Sequence, residues 1–340
     1  MNFFAPDIGI DLGTSNTMVY VRGRGIVISE PTLVVAEGHG KKSVRAVGDD
    51  ARYLLGRTRD TTVVVHPVIG GVIEDYDMAE LLIRYLVRKA IGLSNVVRPR
   101  VVISVPSGLP AVNRKAVTEA VHVAGAKKVF LIEKPLAAAI GSGLPVYDPI
   151  GSMVVDIGGG TTDAAVVSLG GLVVSRSAPV GGVKMDEAII NYIKREFHIL
   201  IGDRTAEDLK LDLASAIPLA EGRQVMIRGR DLRSPQITEI TFSSGQASDA
   251  ISEPCRAVIA TVKWVLERTP PELAADIMRG GIHLTGGVAQ LYGMDQFIAE
   301  ELNIPVLIAK DAEECTVRGL GYIVENLNDL IAQGRMPQAN

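Results

Sequence analysis

The chain says one thing twice. "GIDLGTSNT" runs from Gly9 to Thr17 and "VVDIGGGTTD" from Val154 to Asp163, with Asp156 following Asp11 by 145 positions (156 − 11). The same offset carries Gly13 onto Gly158, Thr17 onto Thr162 and Gly25 onto Gly170. Each copy reads as strand, tight turn, strand, second glycine turn, strand. Self-similarity at one fixed offset predicts two related halves, and 340 residues suit two cores better than one.

Those cores are aliphatic, because hydrophobic residues make up 47% of the chain and aromatics only 4%. A net charge of −4 gives no footprint for nucleic acid. Cys255 and Cys315 lack CxxC spacing and read as buried, reduced thiols, while the five His form no HxxxH or HExxH pattern that would hold a transition metal. No apolar run approaches the roughly 20 residues that span a bilayer, and the first residues do not read as a secretory signal. The expected location is cytoplasmic, and a mean hydropathy of +0.24 is compatible with membrane association.

Short apolar runs at 101–104, 129–132, 153–157 and 282–286 read as buried strands of α/β sheets. Helical spacing runs over 77–91, 111–124, 184–201, 205–216 (from a Thr-x-x-Asp cap) and 246–268. Insertions fall at about 34–73 and 183–245, and the halves divide near the Pro/Gly stretch 143–152.

A strand that ends in Asp and enters a glycine turn presents several backbone N–H groups in one direction. Glycine lets a phosphate approach closely, Ser and Thr add donors, and the Asp at the strand end can hold magnesium through water. A single such turn is weak evidence. Two related turns can grip a triphosphate from opposite sides. No GxxxxGK[ST] P-loop and no GxGxxG after a strand is present.

These motifs resemble the actin, Hsp70 and sugar-kinase superfamily, and most closely its MreB-like, rod-shape-determining bacterial actins. The resemblance covers nearly the whole chain: "IDLGTSNT" and "VVDIGGGTTD" match the phosphate motifs, "IEKPLAAAIG" (132–141) and "VRGLG" (317–321) the connecting helices, and "LTGGVAQL" (284–291) the adenosine motif. It implies a duplicated actin-like (ribonuclease-H-like) α/β fold of two domains and four subdomains. These are IA at 1–33, 74–145 and 313–340, IB at 34–73, IIA at 146–182 and 246–312, and IIB at 183–245, with ATP or ADP and Mg2+ between the domains. By the same resemblance, Gly13, Thr14, Ser15 and Asn16 contact phosphates from one turn, and Gly158, Gly159, Gly160 and Thr161 from the other. Asp11 and Asp156 face magnesium, mostly through water. Glu207, Asp208, Leu209 and Lys210 hold ribose and adenine, although spacing alone would make Glu207 and Lys210 a solvated charge pair. Gly286, Gly287, Val288, Ala289 and Gln290 line the adenosine pocket.

The chain departs from that pattern where it bears on catalysis. The position before the proline of "EKP", normally glutamate, is Lys134. An ammonium cannot accept a proton from attacking water; it is expected near the γ-phosphate as a fixed cation, with Thr161 and Asp163 as the remaining catalytic candidates and hydrolysis slow or lost. Val183 stands where an acidic residue is usual and Val288 where a third glycine is usual.

The resemblance also implies polar protofilaments of the chain with itself, paired antiparallel through the helix after "VPSG", for which Val112 is the candidate contact. It implies attachment to the inner face of the cytoplasmic membrane, with Phe3, Phe4, Leu93, Val96 and Val97 as candidate anchors, and wall-elongation partners such as RodZ and MreC. The alternative is a monomeric Hsp70-like or sugar-kinase-like ATPase. No substrate domain follows the second connecting helix, and no sugar-site aspartate is evident.

Overall fold

The computed structural model describes residues 6–37, 43–55, 62–92 and 98–336. Two five-stranded sheets carry it. The first contains β1 (Ile8–Leu12), β2 (Asn16–Val21), β3 (Gly25–Pro31), β4 (Arg100–Val105) and β5 (Lys128–Glu133), and the second β6 (Ser152–Ile157), β7 (Thr162–Ser168), β8 (Gly171–Ala178), β9 (Ile282–Thr285) and β10 (Val306–Ile308). The orders are β3-β2-β1-β4-β5 and β8-β7-β6-β9-β10. In each sheet the first three strands form antiparallel hairpins, and the last two add in parallel. Register repeats as well: Asp11 lies opposite Met18, and Asp156 opposite Asp163, the positions 145 further on. The second turn of each copy is closed by a left-handed glycine, Gly25 at φ 77° and Gly170 at φ 78°.

The apolar runs form strands because both faces of each sheet are covered. All six residues of β6 are buried, as expected for a strand with helices on either side. In the first half, α1 (Tyr76–Ile91) starts where the Asp75 side chain accepts from Met78 N, and it buries Leu82, Ile83 and Leu86. The helix α2 (Ala111–Val123) buries Val117, Ala120 and Val121. In the second half, α4 (Gly182–Phe197), α5 (Asp203–Leu213) and α6 (Ser244–Leu266) pack Ile189, Ile193, Leu209, Val258 and Val262 around Met153 and Ile157. A Ser243–Gln246 capping box opens α6.

Smaller sheets top each half: 34–37, 43–47 and 62–65 in the first, and 199–200, 224–231 and 237–243 in the second. Between the halves cross two helices, α3 (Lys134–Gly141) and α7 (Cys315–Glu325). A Cβ on Gly141 would overlap the Cys315 carbonyl oxygen, and one on Gly319 the Ala137 carbonyl oxygen. The helices thus touch backbone to backbone, which only glycine permits.

Several helix boundaries differ from the sequence reading, the helix expected over 246–268 running Ser244–Leu266 and the one expected over 205–216 ending at Leu213. The helix expected over 184–201 ends at Phe197, where His198 turns left-handed (φ 57°) and Ile199–Leu200 pairs with Arg230 and Asp231 as a strand. The helix expected from Thr205 begins at Asp203, so Thr205 lies inside the first turn and caps nothing. Gly202, with no side chain to donate or accept, holds the N-cap position.

Candidate functional site

Because β1 and β6 end at equivalent points of equivalent sheets, their turns meet face to face across the gap between the halves. There they line a cavity of about 580 Å³, within the range of small-molecule sites. The loops touch. A Cβ on Gly159 would overlap the Ser15 hydroxyl, and one on Gly160 the Thr14 hydroxyl. Thr14 Oγ1 also accepts from Gly71 N (3.3 Å), which ties the first turn to the small hairpin at 68–73. Another depression, of about 670 Å³, lies over α1 between Glu80, Arg84 and Lys89. It gathers neither of the duplicated glycine turns, and the cleft is the better candidate.

Asp11 and Asp156 face each other at the cavity floor. Each has one oxygen fixed by a hydroxyl from the adjacent parallel strand: Ser104 Oγ donates to Asp11 Oδ1 (2.6 Å), and Thr285 Oγ1 to Asp156 Oδ1 (3.1 Å). Between them lies Lys134, the first residue of α3, with Nζ 3.4 Å from Asp156 Oδ2 and 3.8 Å from Asp11 Oδ1. Burial works against the ammonium, but Asp11, Asp156 and Asp163 outweigh it and hold Lys134 above the ordinary lysine range. Burial pushes Asp156 above the usual carboxylate range, with Lys134 pulling the other way. Glu133, the neighbouring carboxylate, points out of the cleft toward Arg114 (3.9 Å).

Of the residues singled out from sequence, Asp11, Gly13, Thr14, Ser15, Asn16, Lys134, Asp156, Gly158, Gly159, Gly160, Thr161, Glu207, Lys210, Gly286, Gly287, Val288 and Gln290 all line the cavity. Asp163, Asp208, Leu209 and Ala289 do not. Asp163 is fully buried behind the second turn, where it accepts from Thr161 Oγ1 (2.8 Å) and Ser107 N (3.3 Å), and burial pushes its carboxyl up. Leu209 and Ala289 belong to the core of the second half, and Asp208 sits on the exposed side of α5. Val112 is 74% exposed in the first turn of α2, not part of the core. Phe3, Phe4, Leu93, Val96 and Val97 lie outside the described residues.

Among the lining residues that the sequence reading did not single out are Arg52, Ser104, Met185 and Tyr292. Arg52 stands far in sequence from the motifs, whereas Tyr292 directly follows "LTGGVAQL", Met185 lies two residues after Val183, and Ser104 ends a buried strand parallel to β1. At the deep end Lys210 Nζ donates to Gly182 O (3.3 Å) and Asp186 Oδ2 (3.0 Å). Burial, more than Lys210 can offset, pushes Asp186 up to about 6. No helix among the described residues is long and apolar enough to cross a membrane.

The geometry agrees with comparisons to known proteins. The family described as MreB/Mbl protein matches residues 5–332. Cell shape-determining protein Mbl of Bacillus subtilis is 44% identical over 96% of this chain and 98% of its own length, and cell shape-determining protein MreB of Escherichia coli K12 is 44% identical over 96% and 95%. Among solved structures, MreB5 of Spiroplasma citri, bound to ADP or to AMPPNP, superposes with a TM-score of 0.91 at 34% identity, over 97% of this chain and 99% of that one. The actin-like fold extends to the MamK double helical filament, at 20% identity and a TM-score of 0.77. Alignment over nearly the full length, with both glycine turns and both crossing helices in place, makes this chain a member of the MreB/Mbl family.

Proposed function

We propose that the chain binds ATP or ADP in the cleft and polymerises into membrane-associated filaments that organise wall synthesis and set a rod shape. The observation that carries the reading is the contact of Gly159 and Gly160 with Ser15 and Thr14. The two glycine turns are thereby brought to one point, and their backbone N–H groups are the donors that this reading gives to a polyphosphate. Support also comes from the nucleotides bound to MreB5 and from the shape-determining role in the names of Mbl and MreB.

In this reading Glu207 and Lys210 reach the ribose and base, and Gly286, Gly287, Val288 and Gln290 close the adenosine end. The subdomain division expected from sequence accommodates a hinge at α3 and α7, so that nucleotide sets the angle between halves and hence the fit of the next copy. Val112, apolar and exposed, is the proposed contact between antiparallel protofilaments. Phe3, Phe4, Leu93, Val96 and Val97 are the proposed anchors, individually weak and strengthened by repetition along a filament. RodZ- and MreC-like wall-elongation proteins are the proposed partners.

The magnesium that the family implies does not fit the aspartate pair as it stands. Two carboxylates are suitable ligands, but the Lys134 ammonium fills the space between them.

Sedimentation with anionic vesicles, with and without ATP, tests the function. Nucleotide-dependent pelleting, with filaments in negative stain, is expected. Monodisperse globular particles in ATP at high protein concentration would overturn the filament, and absence of any ATP binding would overturn the cleft assignment.

A further inference from the structure

We propose that Lys134 is a built-in cation of the cleft that takes over the charge-neutralising work of a divalent metal, so that this protein binds ATP without needing magnesium. The inference rests on the nucleotide reading of the cleft and goes beyond it. Lys134 is the first residue of α3, directly after β5, and Pro135 follows it in the first helical turn. Its side chain therefore enters the floor of the cavity from a rigid origin, with only 14% of it exposed.

Three features place the ammonium in a role rather than merely in a gap. The first is its partners. It lies within 4 Å of a carboxylate oxygen from each half, Asp11 Oδ1 and Asp156 Oδ2, and thereby bridges the two duplicated units. The second is the division of labour at Asp156. Thr285 satisfies Oδ1, while Oδ2 is buried without a hydrogen bond of good geometry and has the nearby ammonium as its counter-charge. The third is proximity to the second phosphate turn, since a Cβ added to Gly158 would come 3.6 Å from Nζ. A cation there lies beside the second glycine turn. A magnesium ion between the same aspartates would have to displace the ammonium or sit beside it, against like-charge repulsion in a poorly solvated floor.

The chemistry specifies the ligand form: a nucleoside triphosphate free of divalent metal, its terminal oxygens facing an ammonium in place of a hydrated ion. Asp11 and Asp156 then act as positioning residues that hold Lys134, not as metal carriers. An ammonium on a tether has one charge and three donors, and it leaves no metal-bound water in the floor.

Calorimetric titration of the full chain with ATP, in excess magnesium and separately in excess EDTA, tests this. The wild type is expected to bind with dissociation constants within about threefold of each other. Lys134→Met and Lys134→Glu are expected to weaken by about tenfold or more on chelation, because two or three carboxylates are left facing the phosphates without a cation. A parallel thermal scan without nucleotide reads the same point: magnesium alone should raise the melting temperature of the Lys134→Glu protein and leave the wild type unmoved. A wild type that loses about tenfold or more on chelation overturns the proposal even if neither variant folds. A wild type that binds ATP in neither buffer overturns the nucleotide reading, and this inference with it.

Discussion

Arg52 and Glu207 stand on opposite lips of the cleft, Nη2 of the first 3.8 Å from Oε2 of the second. Arg52 belongs to the short helix Asp49–Leu54 of the first half's small sheet, and Glu207 to α5 of the second half. They form an ion pair between the halves at the cavity mouth. Both side chains are about half exposed (52% and 41%), so the pair adds little to folding. Its effect belongs to opening. Arg52→Ala should leave the melting temperature nearly unchanged and speed the release of bound nucleotide by roughly fivefold at most, the equivalent of about 1 kcal/mol. Stopped-flow displacement of a fluorescent ATP analogue would measure it, and high salt should erase the difference between variant and wild type.

The contact between glycine turns makes a sharper prediction. Gly160→Ala drives a Cβ into the Thr14 side chain and must spread the two loops. Nucleotide affinity should fall by about tenfold or more, while far-ultraviolet circular dichroism stays native. Gly171→Ala is the control, since nothing lies within 4 Å of its Cβ. Equal affinities in the two variants would mean that the loops do not act as a pair.

Lys134 also bears on turnover. Its ammonium cannot serve as a proton acceptor, Glu133 turns toward Arg114, and Asp163 is occupied by Thr161 and the 107 amide. Phosphate release by the wild type is expected to be slow, and Lys134→Glu should raise it by about tenfold or more, a modest share of what a positioned base contributes. A wild type already as fast as the variant would remove the base assignment.

The duplicated turns were legible in the sequence because a single offset fixes strand, aspartate and glycine together, and Gly25 and Gly170 adopt the same backbone. Strands such as Ser152–Ile157 were legible because both faces are buried, which leaves an unbroken apolar run. Helix ends were less so. His198 stops α4 through a left-handed turn that a histidine seldom takes, and a glycine rather than Thr205 precedes α5. The site's pairings were the least legible. The bridge from Lys134 to Asp11 and Asp156 and the reach of Arg52 to Glu207 join residues far apart in sequence, and no local spacing encodes either.

Where α3 crosses α7, the packing leaves no room for a methyl group. Gly319→Ala would press a Cβ onto the Ala137 carbonyl and the Gly141 amide. Backbone cannot rotate away as a side chain can, so a cost of about 1–3 kcal/mol or more is expected. Urea unfolding should show the loss, with Gly280→Ala, whose Cβ meets nothing, close to wild type. Because these helices join the halves, the variant should also lose nucleotide-dependent pelleting before it loses its fold.

Asp186 supplies a pH signature. Its folded value of about 6 exceeds the ordinary 3.8 because burial disfavours the charged form more than Lys210 favours it. The folded state therefore binds more protons than the unfolded state between about pH 4 and 6, and this residue's contribution to stability falls as pH rises through that window. Asp186→Asn removes the titration, so the melting temperature of the variant minus that of the wild type should increase from pH 4 to pH 6 and then level off, by the equivalent of about 3 kcal/mol at most. The variant also leaves Lys210 Nζ without its carboxylate partner, which lowers the curve as a whole. A flat difference would show that Lys210 holds Asp186 ionised throughout. At neutral pH, above the Asp186 value of about 6, its carboxylate holds the same ammonium, and Asp186→Asn should bind ATP more tightly than the wild type there.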